Sequence, residues 1–275
     1  MASFKSKLGL SVAKNNSLVC VGLDPVLSKL PASVASQAEP LLFFNRAIID
    51  ATADLVCAFK PNCAFYESIG ARGIEQLQKT CDYILKNYPN VPVILDGKRA
   101  DIGTTNEHYA RFVFDYLKAD AITVHPYFGG EALKPFLSRQ DKGIIILCRT
   151  SNPGATEFQD LKVGGEELYK VVARNVAERW NSNNNCLLVV AATYPRELAS
   201  VRAIVGDEMV ILVPGVGAQG GDLRKTLEAG LNSKKEGLII SSSREIIFAS
   251  TGDDFAKVAR QKTIELRDKI KGGSE

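Results

Sequence analysis

The run Gly143-Ile-Ile-Ile-Leu-Cys148 is apolar from end to end, and Val210-Ile-Leu-Val-Pro-Gly215 repeats the pattern. A strand with one wet face would alternate apolar and polar residues. Unbroken apolar runs of this length instead fit a parallel sheet covered on both sides by helices. Working outward, short runs of the same character occur at Ser17–Leu23, Leu55–Lys60, Val91–Leu95, Ala119–Val124, Gly143–Cys148, Cys186–Val190, Met209–Val213 and Gly237–Ile240, eight in all. Between and after them lie stretches whose apolar positions recur at three and four: Leu41–Asp54, Gly73–Lys86, Asn106–Leu117, Gly130–Leu137, Glu166–Asn181, Pro195–Val205, Gly221–Ala229 and Phe255–Ile270. A doubly wound open sheet would alternate in the same way. The count of eight, and a length of 275 residues near the roughly 250 usual for the fold, favour a single α/β domain over 1–275, a (β/α)8 TIM barrel. No linker or low-complexity tract interrupts it. Lys29–Glu39, rich in Pro, Ser and Ala, reads as a surface connection, and the tail from Lys271 as frayed.

Bulk composition narrows the class. Net charge is +3, with acidic and basic residues interleaved along the whole chain, which argues against a nucleic-acid partner. No apolar run approaches the roughly 18 residues of a membrane span, and Met1–Leu10 lacks the pattern of a signal peptide. The expectation is a soluble, cytoplasmic protein with no membrane partner. The six cysteines include no C-x-x-C pair and read as reduced core residues. The two histidines, His108 and His125, belong to no metal-ligand cluster, so no transition-metal site is expected.

In such a barrel the active site is built from residues just after each strand. Asp24 follows the first in V-G-L-D-P, Lys60 ends the second in F-K-P-N, and D-G-K-R-A-D after the third supplies Asp96, Lys98 and Asp101. Asp96 and Lys98 are two apart and project to one face, within reach of Lys60. Alone, three charges in six residues could be a solvated ion-pair network. The last two loops add an independent signal. Pro214-Gly-Val-Gly-Ala-Gln-Gly-Gly-Asp222 leads from a strand into a helix, and Ser241-Ser-Ser-Arg-Glu245 follows the final strand. Glycines expose backbone N–H groups, a helix start adds positive potential, and Arg244 offers a planar fork for phosphate oxygens. After the fifth strand, Arg149-Thr-Ser-Asn-Pro-Gly-Ala155 supplies a hydroxyl and an amide ahead of a long connection, either a lid or a plain Asn-Pro turn.

Taken together, V-G-L-D-P, F-K-P-N-x-A-F-Y-E, L-D-G-K-R-A-D-I-G-T-T, R-T-S-N-P-G, P-G-V-G-A-Q-G-G-D and S-S-R-E-I resemble the orotidine 5'-phosphate decarboxylases, and within them the longer second-type branch. The resemblance runs in order from about Leu18 to the last strand. It implies a cofactor-free carbon–carbon lyase that converts orotidine 5'-phosphate to UMP and carbon dioxide in pyrimidine biosynthesis, acting as a homodimer with shared sites. Lys98 would protonate C6, flanked by Asp96 and by Asp101 of the other subunit. Asp24 and Lys60 would contact ribose hydroxyls, Lys60 also holding Asp96, and Thr105 would approach the ribose from the second subunit. Ser151 would read the pyrimidine edge, Pro214 pack on the ring, Gln219 bridge lid and phosphate, and Arg244 with the Ser243 backbone hold the phosphate. Two departures from the shorter branch are the loop Asn152–Leu161 and Ser243, which stands where glycine is frequent.

Two rival readings share parts of this pattern. A Mg2+-dependent sugar-phosphate decarboxylase or aldolase of the same barrel superfamily also carries D-x-K-x-x-D. A non-catalytic phosphometabolite-binding barrel would use the glycines and Arg244 but would leave Asp96, Lys98 and Asp101 without a task.

Overall fold

The computed structural model describes residues 3–217 and 220–273. Eight parallel strands form the core: β1 (Val19–Leu23), β2 (Ala58–Pro61), β3 (Ile94–Arg99), β4 (Ala121–Val124), β5 (Gly143–Arg149), β6 (Cys186–Val190), β7 (Ile211–Pro214) and β8 (Leu238–Ser242). They neighbour one another in the order β2-β1-β8-β7-β6-β5-β4-β3. The two ends of that order meet through the bridges Phe59 to Val93 and Asn62 to Asp96, which close the sheet into a barrel. Each strand sits within a few residues of the run predicted for it.

Period-two alternation sorts the strand side chains into two populations. Residues such as Val21, Phe59, Leu95, Ile146 and Val213 pack outward against the helices in the main core. Every strand contributes to a separate inner cluster: Cys20, Ala58, Ile94, Ala121, Ile145, Leu187 with Val189, Leu212 and Ile239. Closure requires this division, because the inward-facing residues of a barrel are walled off from the helices packed around its outside.

The inner cluster is completed by Phe4 and Leu8, from a helix at Phe4–Asn15 that precedes β1. No sequence reading anticipated this element. Ser3 caps it by accepting from the Ser6 N–H, the Phe4 N–H donates to Asp141 O at 2.8 Å, and Lys7 pairs with Asp120 at 2.8 Å. These contacts reach residues at the N-terminal ends of β4 and β5, so the helix plugs the end of the barrel opposite the strand tips.

The outer helices follow the predicted stretches, including Pro40–Thr52, Ala71–Asn87, Pro195–Val205 and Phe255–Gly273. The last stays helical through Gly273, so Lys271 to Gly273 are not frayed, and the remaining two residues lie outside those described. The Lys29–Glu39 connection carries a short helical turn at Ala32–Ala35. All six cysteines are free and buried. Among the described residues no helix is long and apolar enough to cross a membrane.

Candidate active site

The strand tips surround a cavity of about 640 Å³. One side is ionic: Asp24 after β1, Lys60 on β2, and Asp96 and Lys98 on β3. The floor is apolar, with Leu147, Val189 and Leu212, and Pro214, Ser243 and Arg244 line the side formed by β7 and β8. Thr150, Ser151 and Asn152 enter from the tip of β5.

Asp96 is the hub. Its Oδ1 accepts from Lys98 Nζ at 2.6 Å and from the Thr123 hydroxyl at 2.8 Å. Its Oδ2 accepts from Lys60 Nζ at 3.1 Å and Asn62 Nδ2 at 3.2 Å. Burial alone would push this carboxyl up. The charges of Lys60 and Lys98 outweigh it and hold Asp96 well below the usual carboxylate range. Lys60 shows the converse: burial works against its charge, but Asp96 and then Asp24 raise it above an ordinary lysine. Beneath them, burial pushes the Cys20 thiol up to about 12, so it stays neutral.

The backbone at Lys98 is itself unusual. The β3–β4 register shifts between Leu95 and Arg99, a bulge that re-aims the strand end. Lys98 sits there at φ 44°, a left-handed conformation that L-residues enter at a cost. Its N–H donates to Thr123 Oγ1 at 3.0 Å, which holds it in place. The Lys98 side chain is half exposed and faces the cavity, whereas Lys60 is buried.

On the far side, the loop after β7 places Gly215, Gly217 and Gly220 at φ 91°, 75° and 80°. It enters the helix Leu223–Gly230, capped by Asp222. A side chain at Gly217 would strike the Glu245 carboxylate, so this loop lies against the one carrying Arg244. Gly22 is needed for a similar reason, since a Cβ there would lie 2.6 Å from Ser243 Cβ.

Of the residues expected from sequence, Asp24, Lys60, Asp96, Lys98, Ser151, Pro214, Ser243 and Arg244 line this one cavity. Gln219 lies outside the described residues. Asp101 and Thr105 do not line it. The Asp101 carboxylate accepts from the Ile102 N–H at 2.6 Å, and its backbone is clamped by buried Asn106, whose Nδ2 donates to Asp101 O at 2.6 Å and Ala132 O at 2.7 Å. His125, outside the cavity lining, packs against Phe128 with ring centroids 5.9 Å apart. Asn62 and Thr123 went unassigned from sequence. Asn62 was visible in F-K-P-N, but its bond to Asp96 depends on strand pairing. Thr123 is a lone hydroxyl in an apolar strand and carries no signal of its own.

Comparison with known proteins agrees with this geometry. A protein from Azoarcus sp. (strain BH72) named orotidine 5'-phosphate decarboxylase is 51% identical over 267 residues, 97% of this chain and 98% of its own. The structure of Leishmania donovani OMP decarboxylase superposes with a TM-score of 0.86 at 36% identity, covering 99% of both chains. A longer chain, Leishmania donovani UMP synthase, gives a TM-score of 0.89 at 37% identity, and this chain spans 57% of it. The family model described as orotidine 5'-phosphate decarboxylase / HUMPS family matches residues 17–259. The chain belongs to that family.

Proposed function

We propose that the chain decarboxylates orotidine 5'-phosphate to UMP and carbon dioxide, with Lys98 as the proton donor. The observation that carries the reading is the Asp96 carboxylate divided between two ammoniums, one buried and one facing an open cavity. Relatives bearing the decarboxylase name at about half identity along their whole length favour it over the Mg2+-dependent sugar-phosphate enzymes.

Loss of carbon dioxide from C6 leaves an electron pair on a ring carbon with no conjugated sink, so the barrier is very high. Enzymes supply up to about 23 kcal/mol in ordinary cases, and no single contact can do that. The C6–carboxylate bond breaks with its electrons left on C6. The Lys98 ammonium, already held by Asp96, which Thr123 in turn orients, stabilises that charge and then transfers its proton, to be reprotonated from solvent. Preorganisation matters because no reorganisation is then needed as charge develops. Asp96 placed near the substrate carboxylate would also disfavour the ground state, by about 4 kcal/mol at ~4 Å and an effective dielectric of ~20.

The remaining cavity suits the rest of the molecule. Asp24 and Lys60 offer a carboxylate and an ammonium to ribose hydroxyls, the apolar floor accepts a planar ring, Pro214 packs on it, and Ser151 takes the ring's polar edge. Arg244, the Ser243 backbone and the glycine loop with Gln219 take the phosphate, whose binding energy helps to position the distant ring.

Asp101 and Thr105 complete the site of a second copy in a homodimer. What supports this is their position outside their own cavity, beside Ile102, an apolar residue that is 58% exposed.

The test is the ultraviolet absorbance change on mixing protein with orotidine 5'-phosphate, with and without EDTA, alongside Lys98→Ala. EDTA-insensitive turnover that disappears in the variant is the expected result. Mg2+-dependent activity on sugar phosphates alone, or tight UMP binding without turnover, would replace this reading with one of its rivals.

A further inference from the structure

The mechanism uses Ser151 from the segment after β5 but leaves Arg149, two residues earlier, without a role. Arg149 is 1% exposed, among the largest fully buried side chains of the protein. Burying a guanidinium is costly unless it is paired. Regular alternation would send Arg149 the same way as Leu147, into the cavity. Instead the β5–β6 register shifts between these two residues, Leu147 facing Val189 and Arg149 facing Val190, and the cavity lining includes Leu147 but not Arg149.

Turned aside by the bulge, the guanidinium lies over the Tyr194 ring, 3.8 Å from its centroid. Its Nη2 donates to Asp160 Oδ2 at 3.0 Å. Its Nε lies 2.9 Å from Asp160 Oδ1 but out of line for a hydrogen bond, so that contact is electrostatic. Nη1 donates to the carbonyl of Thr150 at 2.9 Å. Thr150 is further held by Gln159, which accepts from its N–H at 2.8 Å and donates to its hydroxyl at 2.8 Å. The Thr150 hydroxyl in turn donates to Asn152 Oδ1 at 2.7 Å. The far end of the loop is tied down where the Tyr169 N–H donates to Gln159 O at 3.0 Å.

Every polar group of Thr150 is therefore engaged, and the loop from 150 to 160 is pinched shut at its base by Arg149 with Asp160 and by Thr150 with Gln159. Thr150 and Gln159 also line the cavity but are bonded to each other, which leaves the Ser151 hydroxyl and the Asn152 amide nitrogen to face it. We infer that Arg149 and Asp160 are positioning residues, an ion-paired clasp against Tyr194 that presents Ser151 and Asn152 to the polar edge of the substrate ring. The inference rests on the decarboxylase reading above. A planar fork suits the task, since it grips the carboxylate, the ring face and a carbonyl at once, which a lysine cannot do.

The clasp acts on ring recognition and leaves the phosphate site, on the loops after β7 and β8, untouched. Calorimetric binding of UMP and of ribose 5-phosphate, which lacks the ring, separates the two. In Asp160→Asn and Arg149→Lys, UMP should bind at least about tenfold more weakly, a loss of about 1.4 kcal/mol. Ribose 5-phosphate affinity should stay within about twofold, while kcat/KM for orotidine 5'-phosphate falls by about 100-fold, as expected for misplaced ring contacts. Unchanged affinity for both ligands, or an equal loss for both as general loosening would give, overturns the clasp. If the wild-type protein neither turns over orotidine 5'-phosphate nor binds UMP, the decarboxylase reading fails and the clasp with it. Wild-type turnover with variants that match it sinks the clasp alone.

Discussion

The Thr123 hydroxyl donates to Asp96 Oδ1 at 2.8 Å while its oxygen accepts from the Lys98 N–H. One side chain on β4 thus orients both the carboxylate and the backbone of the neighbouring lysine. Thr123→Val keeps the shape and removes both bonds. We expect kcat to fall by about tenfold, about 1.4 kcal/mol, with KM little changed, and stability to drop by about 1–3 kcal/mol for a buried group left unpaired. Steady-state kinetics and denaturant unfolding check both numbers; a wild-type kcat would mean that Asp96 and Lys98 are aligned without help from β4.

Lys98 at φ 44° makes a prediction that separates catalysis from stability. Lys98→Ala and Lys98→Gly should both be inactive. Only glycine relieves the left-handed backbone, so Lys98→Gly should be the more stable of the two by about 1 kcal/mol. Thermal unfolding of the pair reads this directly, and the opposite order would show that the bulge relaxes once the lysine is gone.

Gly22→Ala would press a methyl against Ser243 Cβ, 2.6 Å away, and Asp24 Oδ2, 3.1 Å away. Overpacking of this kind costs about 1–3 kcal/mol. Because Ser243 must move, inhibition by inorganic phosphate should weaken about tenfold, along with kcat/KM. Retained phosphate inhibition would place the anion site elsewhere.

The Asp96 and Lys60 shifts set opposite limits on stability. Asp96 is depressed because the Lys60 and Lys98 charges overcome the opposing effect of burial. Its contribution is present above the unfolded value of about 3.9 and is lost as pH falls towards the lower folded value. Lys60 is raised because Asp96 and Asp24 overcome burial. Its contribution is present below about 10.4 and is lost as pH climbs through the folded value. Unfolding free energy should be level around neutrality and fall at both ends. In Asp96→Asn the acid limb should be shallower by up to about 1.4 kcal/mol per pH unit just below pH ~3.9. An acid limb that stays as steep would mean that Asp96 is not charged and paired in solution.

A shared site predicts complementation. Lys98→Ala and Asp101→Asn should each be inactive alone. After mixing and subunit exchange, each mixed dimer regains one intact site, so activity should rise towards about a quarter of wild type. No recovery despite exchange would place Asp101 outside the partner's site.

The strands were legible because a buried parallel sheet needs short, unbroken, β-branched apolar runs, and here eight of them alternate with stretches of helical period. The charged residues were legible because strand ends in this fold face one mouth. The helix at Phe4–Asn15 was not, since only Phe4, Leu8 and Ser11 are buried along it, too few to make an amphipathic stripe. Its task is to fill a hole rather than to cover a sheet. Asn62, Thr123 and the Arg149 clasp were hidden for a different reason: their partners are set by register shifts in β3 and β5, and a bulge breaks the alternation from which side-chain direction is read.

That N-terminal plug also imposes an order on the chain's birth. Lys7 leaves the ribosome 113 residues before Asp120, the residue it will pair with, and Lys5 leaves 179 residues before its partner Asn184. Phe4 and Leu8 are therefore made before the strands that form their socket and are seated only after those strands have been delivered. While those strands are being made, these two apolar side chains are without a home, so the nascent chain depends on surroundings that keep them from finding a wrong one.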